Sequence, residues 1–450
     1  MNLRRQYQPV FAATAGALAL GVVATVLPLS AHEAQPTTSS RQPAPTSLWC
    51  AEACDAVITD WSLNAYHVVK AADGYQDPMA ASRALAMMHV AMHDAVNAVR
   101  GRYQPYAFVP RAPASDADPA VAAVVAAHDV LASLYPQPAA LALLKTQLES
   151  SLFDAGIGPA VERGKELGKA AAAAVLSKRS NDGSTRKETY VVRNEPGQYQ
   201  YTPPFDFAAA PHWRKVTPFA LTSPAQFRSD PPPTLTSDEY RRDYDEVKRV
   251  GAKNAGSART PDETHYAAFW YEFSDIGWNR VARVVSTRVD QDLWERARTF
   301  ALLNMALADS YIAGWDSKYL YNSWRPLTAI QRAAEDGNTF TSPDPKFETL
   351  LITPPVPDMP STHSVLGMAA ATVLAHSFGT DHFPFSFASP SANPENPVRS
   401  FKSFSEAARE NADSRVKAGL HFRYATRAGL EMGKRIGEHV TRNALKRRPH

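Results

Sequence analysis

Apolar residues recur with a helical period over most of the chain. Within 78–100, Leu85, Met88, Met92, Ala95 and Val99 fall three or four positions apart, which gathers them on one face of an α-helix. The same spacing predicts helices over 120–134, 139–153, 160–177, 293–315, 364–378 and 426–445. Alternation of the strand type is scarce, with 188–193 the best short candidate. Residues 194–236 carry Pro203-Pro204 and Pro231-Pro232-Pro233 and read as one long irregular stretch wrapped over the helices. Helices this apolar must bury themselves against one another, so the expected fold is all-α, a large helix bundle.

The first residues follow a different pattern. Met1-Asn2-Leu3-Arg4-Arg5 leads into an apolar run over about 10–31 that closes on small residues, the layout of a secretory signal peptide with cleavage expected after Ala31. A retained membrane anchor is the alternative. Residues 32–48 are rich in Pro, Thr, Ser and Gln and read as a flexible lead-in. No later run is apolar for the ~18 residues that a membrane span needs. The mature chain, 49–450, is therefore expected to be one soluble domain, secreted or periplasmic. Cys50 and Cys54 stand four apart; in an exported protein they form a local disulfide or remain two free thiols, and neither state suggests a catalytic role.

Composition narrows the chemistry. The 450 residues are 44% hydrophobic, enough for a large core. Lys plus Arg number 48 against 45 for Asp plus Glu, a formal charge of +3, so there is no global basis for a nucleic-acid partner. Two cysteines exclude a Cys-rich zinc site or an iron–sulfur cluster.

Three clusters carry chemistry. In Lys318-Tyr-Leu-Tyr-Asn-Ser-Trp-Arg325-Pro326 the two cations are seven apart, so on one helix both project from the same face, a geometry suited to an oxyanion. The second is Pro360-Ser361-Thr362-His363 before an apolar helix: Ser361 is placed as an N-cap, the free amides behind it suit an anion, and His363 can exchange protons near neutral pH. The third is Ser414-Arg415-Val-Lys-Ala-Gly-Leu-His421, where Gly419 ends one helix and His421 stands near the start of the next. Singly, these also read as a solvated basic face, a capped helix and an ordinary helical corner. Together they supply three cations, a hydroxyl, helix-start amides and two histidines, a site for a tetrahedral oxyanion. His89 and His93, with Asp94 adjacent, read instead as core histidines with satisfied hydrogen bonds.

The set resembles the signature of the vanadium-dependent haloperoxidase and type-2 phosphatidic acid phosphatase superfamily, in which Lys and Arg-Pro, Pro-Ser-Gly-His, and Ser-Arg, His and Asp follow in this order. Further segments are similar to its soluble bacterial haloperoxidase-like branch: Asp77 to Leu85, Thr217-Pro218-Phe219-Ala220-Leu221, Trp278-Asn279-Arg280, and Ala308-Asp309 through Trp315-Asp316. The resemblance implies a four-helix-bundle core in a catalytic half at about 295–445. It implies vanadate held by Lys318, Arg325 and Arg415 with Ser361 and the Thr362 amide, His421 as axial ligand to vanadium, and His363 as the acid–base residue. The implied partners are small molecules: hydrogen peroxide, a halide (bromide or chloride) and an organic acceptor. In a phosphatase acting on a phosphoester, His421 would be the nucleophile of a phosphohistidine and His363 the proton donor. The two chemistries overlap because five-coordinate vanadate mimics the phosphoryl-transfer transition state.

Two positions depart from the pattern. Thr362 stands where the family has Gly, with strain expected if that position needs a positive φ. Ala425 stands where the family has the Asp that orients the axial histidine. A substitute carboxylate is not evident from sequence, and an oxyanion-binding protein without turnover is the remaining alternative.

Overall fold

Short polar caps and first-turn prolines start the long helices. Asp77 accepts the Ala80 amide at 3.0 Å ahead of Pro78, and Asp118 accepts the amides of Ala120 and Val121 ahead of Pro119. Both arrangements answer N–H groups that the first turn leaves free. The computed structural model describes residues 53–254 and 256–449. Their helices are α1 (Ala53–Ala71), α2 (Pro78–Arg100), α3 (Pro119–Leu134), α4 (Pro138–Ala155), α5 (Pro159–Lys178), α6 (Asp238–Val250), α7 (Pro261–Phe269), α8 (Ser274–Ser286), α9 (Leu293–Tyr321), α10 (Pro326–Gln331), α11 (Thr362–Ser377), α12 (Phe404–Lys417) and α13 (Arg423–Asn443). The signal-peptide and lead-in expectations, and the Cys50–Cys54 pairing, fall outside the residues and side chains described.

Among the described residues the fold is all-α apart from one antiparallel hairpin, β1 (Phe385–Ala388) with β2 (Val398–Phe401), paired Phe385 to Phe401. The strand expected over 188–193 is absent. Tyr190 ties that segment down by its side chain instead, its hydroxyl lying 2.8 Å from the Tyr199 carbonyl and 2.8 Å from Asn322 Oδ1. Residues 194–236 are irregular as expected, with a single 3-10 turn at Pro211–Lys215.

α9 runs through the middle, buried on nearly every face, as a helix apolar all round must be. α2 packs on it and carries α3 and α5 in turn, and α11 lies between α9, α12 and α13. Three glycines at helical spacing bring α13 against α11. A Cβ on Gly433 would stand 2.2 Å from the Val365 carbonyl, and one on Gly429 2.7 Å from that of Ser361. This close backbone contact fixes the start of α11 relative to the helix that follows His421.

Candidate oxyanion site

Lys318 lies in the last turn of α9, which ends where Asn322 takes a left-handed conformation (φ 51°, ψ 35°). Arg325 is the residue that caps α10. The two cations therefore do not share one helix face as their spacing suggests, because an αL residue terminates the helix between them. They converge because the loop over 353–360 crosses both. Lys318 Nζ donates to the carbonyls of Pro357 and Asp358, both at 2.8 Å, and Arg325 Nε donates to that of Val356 at 2.6 Å.

The same loop ends at Ser361, the N-cap position of α11. The Ser361 side chain does not cap the helix; its Oγ is buried without a partner. Its backbone N–H donates to Ala425 O at 2.9 Å, which fastens the helix start to α13. Thr362 opens α11 and has no positive φ, so the strain expected there does not arise. His363, half-buried, places Nε2 3.0 Å from the Glu272 carbonyl. A carbonyl only accepts, so Nε2 carries the proton and Nδ1 holds the free lone pair. Glu272 is itself held by Arg280, at 2.6 and 3.0 Å.

Arg415 comes from the last turn of α12. Gly419 then turns the chain with φ 79°; a Cβ there would meet the Gly251 carbonyl at 2.5 Å, so only glycine fits. Leu420 O accepts from Arg325 Nη1 at 2.8 Å. His421 follows, its Nε2 3.0 Å from the same Nη1 and its Nδ1 2.8 Å from Asp358 Oδ1.

All seven residues expected from sequence thus meet in one place, together with Asp358, which sequence reasoning missed. The available signal was its position, a lone carboxylate between prolines in Pro357-Asp358-Met359-Pro360, next to a motif already singled out. Tyr271 was missed too; its ring lies 5.6 Å from the Arg415 guanidinium.

Lys318, Arg325 and Arg415 are at most 1% exposed. Asp358, with Oδ1 3.9 Å from Arg325 Nη1, is the carboxylate paired with this cluster, so two positive charges stay uncompensated. Burial, then the neighbouring Arg325, holds the Lys318 ammonium well below its usual range. Burial brings Arg415 down to about 10. Both imidazoles are held well below the usual histidine value: burial acts first on each, then Arg415 on His363 and Arg325 on His421. Burial pushes Asp358 up to about 7, although Arg325 and Lys318 pull it down. Burying like charges together is unfavourable unless something of opposite sign joins them. Arg415 Nε and Ser361 Oγ are likewise buried and unpartnered. Cations, a hydroxyl and helix-start amides suit a small multiply charged oxyanion, and these residues fit vanadate.

Residues 298–448 match the family model described as the VCPO second helical-bundle domain. The chain is 25% identical to vanadium chloroperoxidase of Curvularia inaequalis, over 79% of this chain and 76% of that one. Its fold is similar to the crystal structure of the first bacterial vanadium-dependent iodoperoxidase, at 26% identity and a TM-score of 0.76 over 88% of this chain and 98% of that one. It is also similar in fold to a bacterial vanadium-dependent chloroperoxidase in its holo form, with a TM-score of 0.63 at 19% identity over 81% of this chain and 93% of that one. With its matching helical bundle and the convergence of its three sequence clusters, the chain is similar to vanadium-dependent haloperoxidases in its overall fold and over its C-terminal helical bundle.

Proposed function

We propose that the protein is an exported vanadate-dependent haloperoxidase that uses hydrogen peroxide to oxidise a halide. One observation carries the reading: three fully buried cations around the unpartnered Ser361 Oγ have one carboxylate among them. Lys318, Arg325 and Arg415 would hold the oxygens of vanadate, with Ser361 Oγ and the Thr362 amide as further donors. His421 would bind the vanadium through Nε2, the nitrogen that bears its lone pair. Vanadate, when bound, supplies the Lewis-acid centre at which peroxide is made reactive toward halide.

His363 moves the protons. Its Nε2–H is committed to Glu272 O, so exchange runs through Nδ1. An anion seated among the guanidinium groups would offset the repulsion from Arg415, which follows burial among the causes that lower His363. The leader over 1–31 is the support for export. Bromide and chloride are the expected halides, and iodide joins them because one similar structure is of an iodoperoxidase. Every relative named here is a peroxidase, and no contact in the site favours the phosphatase alternative.

The test is a peroxide-dependent halogenation assay on metal-stripped protein with iodide, bromide and chloride, with and without vanadate. Turnover that needs vanadate and is suppressed by phosphate is expected. Vanadate-independent turnover, or none with any halide, would overturn the proposal.

A further inference from the structure

We infer that Asp358 is the positioning residue for His421 in this chain, doing from the loop before α11 what an aspartate at 425 would do from α13. The inference rests on the proposed oxyanion site and adds a residue to it. Asp358 is completely buried, and its Oδ1 is 2.8 Å from His421 Nδ1. The approach is at ion-pair distance and lies off the line of a straight hydrogen bond. Arg325 Nη1 stands nearer to Nε2, at 3.0 Å, than to Nδ1, at 3.4 Å. The carboxylate selects the proton on Nδ1, and the guanidinium, which only donates, lies nearer the lone pair this leaves on Nε2. That is the form in which Nε2 can act as a ligand.

The loop that presents Asp358 is well fixed. Its backbone N–H donates to Ser323 O at 2.9 Å, and its carbonyl receives Lys318 Nζ. One short segment therefore places the lysine, the histidine's partner and, three residues on, Ser361. Position 425 has no room for the same task. Ala425 is fully buried in an apolar cluster with Tyr240, Trp324, Met359, Phe422 and Tyr424.

The test uses the full chain carrying Asp358→Asn, Asp358→Ala or Ala425→Asp. Two readouts are taken: vanadate and phosphate affinity by calorimetry, and the His421 tautomer by nitrogen-15 NMR of labelled histidine. Asp358→Ala is expected to weaken oxyanion binding by roughly 10- to 100-fold, the usual cost of losing a ligand's orienting partner, and to mix the tautomers. Asp358→Asn keeps the shape and an acceptor, so it should fall between parent and Asp358→Ala. Ala425→Asp should lower the melting temperature without tightening binding. Parent-like affinity and an unchanged tautomer in Asp358→Ala would overturn the inference, as would tighter binding in Ala425→Asp. The tautomer readout needs no bound anion. If the parent fails to bind vanadate, the functional reading fails while the role of Asp358 is still decided.

Discussion

Asp309 and the site around Asp358 are both buried and charged, but their charges are answered differently. Asp309, in the middle of α9, accepts three backbone N–H groups, from Phe219 at 2.6 Å, Ala220 at 2.8 Å and Leu221 at 3.0 Å. Asp94 on α2 is treated the same way by Tyr106, Ala107 and Phe108. Each carboxylate is saturated by local donors and pins an irregular segment to a helix, which is structural work. At the site, three cations converge with one carboxylate, and two donor atoms have no partner. A buried group missing its partner does not mark a site by itself, since His89 has both ring nitrogens unpartnered in the apolar layer of α2. What distinguishes the site is three buried cations with one carboxylate among them, beside two donor atoms without a partner.

The sharpest way to break this comparison is Arg415→Met. If the cation is kept for an absent counter-charge, its loss should weaken vanadate and phosphate binding by roughly 100-fold or more, in line with ~2–5 kcal/mol for truncating one partner of a buried charge pair. The melting temperature without oxyanion should stay level or rise, because an uncompensated buried charge has gone. A large drop in melting temperature with modest loss of affinity would put Arg415 in the same structural class as the partners of Asp309.

That distinction was only partly legible in the sequence. Helices α2, α3, α4 and α5 could be read from their apolar period to within a few residues, because their apolar residues recur at helical spacing and prolines open them. α6, α7, α8 and α12 were not read. They are short, and α6 and α12 are polar overall, so the stripe that α6 buries, Tyr240, Tyr244, Val247 and Val250, is brief among charged residues. The three site clusters were legible because function demands particular residue types there. Asp358 was not, because it reaches His421 across 63 positions by way of a loop. The segments that resembled relatives prove to be scaffold: Phe219 to Leu221 meet Asp309, Asn279 pairs reciprocally with Asn304, and Arg280 steadies Glu272 behind His363.

Gly433 tests how far the site depends on the contact between α11 and α13. Ala at 433 would place its Cβ 2.2 Å from Val365 O, against rigid backbone. Gly433→Ala should therefore cost ~1–3 kcal/mol as overpacking, and it should weaken oxyanion binding by displacing the start of α11. Gly314, on α9 with no atom within 4 Å of an added Cβ, is the control. Gly314→Ala should stabilise by roughly 0.5–1 kcal/mol, the helix preference of Ala over Gly. Chemical denaturation of both variants checks the pair, and equal effects would mean that the close contact is not what holds α13 in place.

The smallest effect belongs to His89, and it concerns pH. Burial, aided by Arg283, lowers this imidazole to about 3 from an ordinary 6.5, so in the folded protein it stays neutral over that interval. The unfolded chain takes up a proton as pH falls below about 6.5, while the native state does not until about 3. Protons bind preferentially to the unfolded state, so His89 contributes a loss of stability as pH falls through that window, with a slope approaching ~1.4 kcal/mol per pH unit. Other groups titrate over the same range, so the informative quantity is the difference between parent and His89→Leu. Leu removes the titration and the two unpartnered nitrogens and packs beside Phe300, whose ring centroid is 5.4 Å from that of His89. The stability advantage of the variant should be modest at pH 7 and should widen steadily on acidification toward pH 5. A difference that stayed constant with pH would show that His89 titrates normally. It would then have a partner in solution, and the apolar layer would not be the uncharged counterpart of the site that the comparison takes it to be.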